Sequence, residues 1–136
     1  MVRWSILLAS LTLAHTAGAS VAAGTTADTL RNPPVLVNRS TRPRMVELSL
    51  TAAKAQLAMV PGKPTEVFAF NGTVPGPTIE LREGDSVVVH FTNNLSEPTS
   101  VHWHGLHIPA DMDGSPMAPV PPGGKKDYRF YIEPNT

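Results

Sequence analysis

Ser86-Val87-Val88-Val89-His90-Phe91-Thr92 alternates without a break. Successive side chains of an extended chain point to opposite faces. Val87, Val89 and Phe91 therefore share one face, and Val88, His90 and Thr92 the other. β-Branched and aromatic residues favour such a half-buried pleated surface. Glu83-Gly84-Asp85 before the stretch and Asn93-Asn94 after it are turn formers, so the strand has defined ends.

The same grammar extends outward in both directions. Upstream, Val46, Leu48 and Leu50 alternate with Glu47, Ser49 and Thr51, which predicts another strand. Ala52 to Ala58 fits either its continuation or a short helical turn. Pro61-Gly62 marks a turn and Thr65 to Phe70 a second strand. Asn71 to Pro77 is a rigid loop, because its prolines fix φ and its glycines admit positive φ. Thr78 to Leu81 reads as a short strand. Downstream, Thr99 to His104 reads as a strand and Pro109 to Gly124 as a long loop with five prolines. Lys125 to Ile132 closes the series, with Tyr128, Phe130 and Ile132 on one side. Short strands separated by turn signals predict an all-β protein, an antiparallel β-sandwich.

Composition agrees. The chain has 136 residues, 14 prolines, 10 glycines and no cysteine. That length suits one domain, and the missing cysteine excludes disulfides and thiolate-held metals within this chain. The 11 basic and 11 acidic residues balance, so no electrostatic case exists for nucleic acid or an anionic membrane as partner. At the N-terminus, Arg3, the apolar run Trp4 to Ala14 and the Ala17-Gly18-Ala19 cleavage pattern read as a signal peptide over residues 1–19. The alternatives are a membrane anchor or a buried first helix, but the run is short for a bilayer span. Export to the periplasm or the extracellular space is expected, with no membrane attachment after cleavage. Residues 20–43, broken by Asn32-Pro33-Pro34 and Arg42-Pro43, read as an extended arm, and residues 44–136 as the domain.

The chemistry concentrates in His102-Trp103-His104-Gly105. In a strand His102 and His104 project together, about 7 Å apart along the backbone, while Trp103 turns to the core. Two neutral imidazoles on one face suit copper, zinc, iron or nickel; an ordinary surface pair is the alternative. Asp113 precedes Gly114 in the proline-rich loop, where an Asx-turn is the plain reading. His107 reads as a loop histidine and His90 as solvent-facing or hydrogen-bonded. Met112 and Met117 could offer soft thioethers to Cu(I), though methionines in a loop more often act as apolar cover. No phosphate loop, Ser-His-Asp arrangement or paired-carboxylate site is present.

Five ordered motifs resemble the multicopper oxidases, the laccase and cuprous-oxidase branch in particular. These are Phe70-Asn71-Gly72-Thr73-Val74-Pro75-Gly76-Pro77-Thr78-Ile79, then Arg82-Glu83-Gly84-Asp85 with Val87-Val88-Val89, then His102-Trp103-His104-Gly105-Leu106, then Asp113-Gly114, and last Pro121-Pro122-Gly123-Gly124. The resemblance implies a cupredoxin-like (plastocyanin-like) Greek-key β-sandwich. It implies copper as cofactor, with His102 on a type 2 and His104 on a type 3 copper of a trinuclear cluster. It implies Asp113 as an acid that delivers protons, O2 as acceptor, and phenol-like compounds or Cu(I) as the reducing substrate. The second His-x-His of the family's first domain, its later cupredoxin domains and its type 1 cysteine have no counterpart here. The expectation is therefore a C-terminally incomplete first domain, inactive as an oxidase by itself. A stand-alone exported copper-binding or copper-delivery protein is the alternative.

Overall fold

The computed structural model describes residues 32–134. The signal-peptide expectation lies outside the described residues. Four strands are formed: β1 (Met45–Val60), β2 (Lys63–Phe70), β3 (Ser86–Asn93) and β4 (Lys125–Tyr131). They make one sheet in the order β2-β1-β3-β4. No helix occurs among the described residues, as the turn-rich composition predicts.

Strand β1 changes partner half-way. Its first half runs parallel to β3, from Met45 opposite Ser86 to Ala52 opposite Asn93. Its second half pairs antiparallel with β2, from Ala52 opposite Phe70 to Val60 opposite Lys63. Ala52 to Ala58 thus continues the strand, because β2 supplies a ladder that a helical turn would forgo. Gly62, at φ 75°, closes the hairpin. β4 pairs antiparallel with β3, Ser86 opposite Tyr131 through Thr92 opposite Lys125. The wholly antiparallel expectation is corrected by the β1–β3 pair, a contact between distant segments on which strand periodicity is silent.

The alternation read from sequence sets the core. Val46, Leu48, Leu50 and Ala52 from β1 meet Val87, Val89 and Phe91 from β3 and Tyr128 and Phe130 from β4, with Ile132 just beyond. Burying side chains of this size contributes about 1.5–3 kcal/mol each. The layer that covers them is built from loops. Leu95, Val101 and Val120 are buried in it, and Leu36, Ile79, Leu81, Trp103, Leu106 and Ile108 pack alongside.

Two expected strands are absent as ladders. Thr78 keeps one bridge, to Val35, and Thr99 one, to Val120. A strand needs a continuous backbone partner, and here side chains take that place. Val101 N–H donates to the Tyr128 hydroxyl at 3.0 Å and Trp103 N–H to Asp113 Oδ1 at 3.4 Å. The described part of the arm is tied to the domain: Leu36 N–H donates to Thr78 O, and the Asn38 carboxamide accepts from Glu47 N–H at 2.9 Å.

Asn93, fully buried at the end of β3, organises the covering layer. Its Nδ2 donates to Glu97 O at 2.8 Å and Val120 O at 2.9 Å, and its Oδ1 accepts from Leu95 N–H at 3.0 Å. Every hydrogen-bonding direction of that amide except one acceptor lone pair is used. The chain on either side of the histidine segment is thereby fixed to the end of β3.

Candidate metal centre

The segment Val101 to Leu106 keeps the side-chain alternation of a strand without its ladder. Trp103 turns inward, its ring 5.6 Å from that of Tyr128 and 5.1 Å from that of Phe130. Its indole N–H is buried with no partner among the described residues. His102 and His104 turn outward, both exposed, with ring centroids 5.6 Å apart. Gly105, at φ 84°, and a Leu106 N–H to Trp103 O bond then turn the chain. Tyr128, fully buried, supports the segment from below. Burial pushes its phenol above the ordinary value, the Val101 N–H bond opposing.

Asp113 reaches His102 from behind. Nδ1 of His102 lies 3.1 Å from the Asp113 carbonyl oxygen and 3.1 Å from its Oδ1. Both oxygens are acceptors, so Nδ1 carries the hydrogen and the neutral ring has its lone pair on Nε2. A metal-binding histidine is oriented in this way, by an oxygen on the nitrogen that does not bind. The structure thus brings together the three residues singled out in the sequence: His102, His104 and Asp113. Among the described residues, no three His, Cys, Asp or Glu side chains converge to hold a metal ion. The pair fits copper as a partial ligand set, two imidazoles on one exposed face.

Gly114 explains how Asp113 comes so close. A Cβ there would lie 2.0 Å from Val101 O and 2.9 Å from His102 N, and φ is 69°. The loop therefore packs backbone against backbone on the histidine segment, and Ser100 Oγ donates to Gly114 O at 2.7 Å. The Asp113-Gly114 pair does two jobs: glycine permits contact, and aspartate uses it.

Other side chains nearby or elsewhere take different partners or face solvent. Met112 is half-buried, and its sulfur accepts the Arg129 N–H at 3.4 Å. Met117 is 90 % exposed. Asp111 is exposed, its carbonyl taken by Lys126 Nζ at 2.7 Å. His90 sits on the outer face of the sheet, between Glu47 and Asp127. Tyr128, Ser100 and Lys126 escaped the sequence reading as residues that support the site. Only Tyr128 gave a signal, its place on the inward face of β4.

The motifs and this geometry agree with comparison to known proteins. A family model described as multicopper oxidase matches residues 51–136, more than half of the chain. The chain belongs to the multicopper oxidase family. It is 41% identical over 96 residues to multicopper oxidase MmcO of Mycobacterium tuberculosis, covering 68% of this chain and 19% of that protein. It is 39% identical over 89 residues to a copper resistance protein A homolog of Pseudomonas syringae, covering 63% and 15%. A multicopper oxidase from Campylobacter jejuni, described as a metallo-oxidase, superposes with a TM-score of 0.73 at 38% identity, over 76% of this chain and 22% of that one. The chain spans 15–22% of the length of these family members. The all-β, cupredoxin-like class expected from the motifs holds, and copper is the family's cofactor.

Proposed function

We propose that this chain supplies His102 to a type 2 and His104 to a type 3 copper of a trinuclear cluster, in a protein that couples one-electron oxidation of a phenol-like compound or Cu(I) to reduction of O2 to water. The observation that carries the reading is the His102–Asp113 contact: one nitrogen is committed to oxygen acceptors and the other is left with its lone pair outward. Bound copper would supply the electron-transfer and oxygen-binding chemistry. His102 and His104 bind and orient. Asp113 holds the proton on Nδ1 of His102, and in this reading its half-buried carboxylate passes protons toward that face. The rest of the ligand set and the entry point for electrons belong to parts of the protein beyond these motifs. Export behind residues 1–19 is part of the same proposal. Membership of the oxidase family favours this reading over a stand-alone copper carrier.

Titration of the chain with Cu(II), followed by electron paramagnetic resonance, tests it. The expected spectrum shows nitrogen coupling, and His102→Asn or His104→Asn should weaken binding at least as much as loss of a supporting partner does, about 10–100-fold. Unchanged binding in the double variant would remove both residues from the site. The chain by itself should not turn over a phenolic dye, and turnover would refute its role as a partial ligand set.

A further inference from the structure

The loop Pro109 to Gly114 is closed locally by two bonds, Met112 N–H to Pro109 O at 2.8 Å and Asp113 N–H to Ala110 O at 3.4 Å. Such turns set the loop's shape and leave its position undetermined. Position comes from outside. Strand β4 forms one edge of the sheet, and an edge presents unpaired backbone groups. Arg129 N–H on that edge donates to Met112 Sδ. Three residues earlier, the Lys126 ammonium lies 5.0 Å above the Tyr128 ring and donates to Asp111 O at 2.7 Å. A charged donor on a carbonyl is among the stronger hydrogen bonds. On the far side of Asp113, Gly114 is pressed on Val101 and held by Ser100.

We propose that Lys126 and Met112 are positioning residues for His102, acting through the loop that bears Asp113. The inference rests on the copper reading of His102 for its purpose, and on contacts alone for its geometry. Neither residue touches His102. Each fixes a loop position next to Asp113, so that the carbonyl and carboxylate oxygens of Asp113 arrive together at Nδ1. The thioether of Met112 thus serves as a hydrogen-bond acceptor for the sheet edge. With the loop untethered, Asp113 withdraws, and the His102 imidazole exchanges between its two neutral tautomers.

The test is ring-nitrogen NMR of the full chain with 15N-labelled histidine, free of metal, at about pH 8.5, where an ordinary imidazole is neutral. Wild-type His102 should show a single tautomer with hydrogen on Nδ1. Lys126→Met and Met112→Leu should each give a mixture, their combination the fullest one, and Lys126→Arg, which keeps a cationic donor, should restore the single form. His90, on the far side of the sheet, should give the same signals throughout and so report an intact fold. Where the combined variant loses that signal, the Lys126→Met and Lys126→Arg pair decides. Cu(II) affinity should fall about tenfold with the tautomer. A single Nδ1–H form in Lys126→Met with His90 unchanged, or a mixture already in the wild type, overturns the proposal. A single tautomer in a wild-type chain that takes up no copper would instead sink the copper reading and leave the positioning intact.

Discussion

His90 and His102 stand on opposite sides of one small domain, and the oxygens around them divide their roles. On the outer face of the sheet, His90 Nδ1 lies 2.7 Å from Asp127 Oδ1 and Nε2 lies 2.9 Å from Glu47 Oε1. The Glu47 and Asp127 carboxylates hold its pKa above the ordinary value, and both nitrogens are spent. On the loop side, Asp113 takes only Nδ1 of His102. A histidine gripped at both nitrogens is a cross-strand tie; one gripped at a single nitrogen is an oriented ligand. The sheet saturates its histidine, whereas the loop layer leaves a lone pair outward.

The contrast breaks most severely at Gly114. Alanine there would meet Val101 O at 2.0 Å with φ held at 69°. The left-handed conformation costs about 1–2 kcal/mol and the overpacking about 1–3. We expect Gly114→Ala to lower stability by about 4 kcal/mol in urea denaturation, and to abolish the His102–Asp113 contact while the His90 cluster persists in what remains folded. Asn93→Ala comes next. It leaves Glu97 O and Leu95 N–H without the partners they have now and takes one of two donors from Val120 O, which keeps the Thr99 N–H. Buried polar groups left unpaired cost about 1–3 kcal/mol each; with partial access to water, a total loss of about 3 kcal/mol is expected by the same measurement. Cu(II) binding should weaken alongside, because Asn93 anchors the layer that carries the histidines and not the sheet.

The sequence disclosed the sheet side of this contrast more fully than the loop side. Val87, Val89 and Phe91 announce their face by alternation alone, and the same holds for Val46, Leu48 and Leu50 and for Tyr128, Phe130 and Ile132. Ala52 to Ala58 stayed ambiguous because small residues carry little periodic signal, and its partner β2 decided the matter. The parallel β1–β3 register joins segments about forty residues apart, and no local pattern encodes it. In the loop layer, alternation correctly turned Trp103 inward and the two histidines outward, yet it also predicted a ladder where side chains do the bonding. The nearness of Asp113 to the pair was legible only through family motifs, and its contact with Nδ1 of His102 through neither motif nor spacing. Lys126 and Met112 were legible by neither route, since a carbonyl and a thioether accept from β4 wherever the chain brings them, with no fixed spacing.

The smallest effect sharpens the comparison through pH. His90 has a raised pKa, so the stability it contributes is fully present below its ordinary unfolded value, about 6.5, and is lost as pH climbs through the raised folded value. Asp127 is lowered, chiefly by the bond from His90 and further by Arg129. Its contribution is present above its unfolded value, about 3.9, and is lost as pH falls through the lowered one. The cluster therefore stabilises most between about pH 4 and 6.5. His90, Glu47 and Asp127 are each some 40 % exposed, and solvent screening holds such pairs to about 0.2–1 kcal/mol. The difference in thermal midpoint between wild type and His90→Gln should be greatest near pH 5.5, about one or two degrees, and should close as pH climbs past the raised folded value. A difference independent of pH would mean that His90 acts by packing and not by charge. His90→Gln should leave Cu(II) binding unchanged at every pH, because the nitrogens it removes were never free to bind.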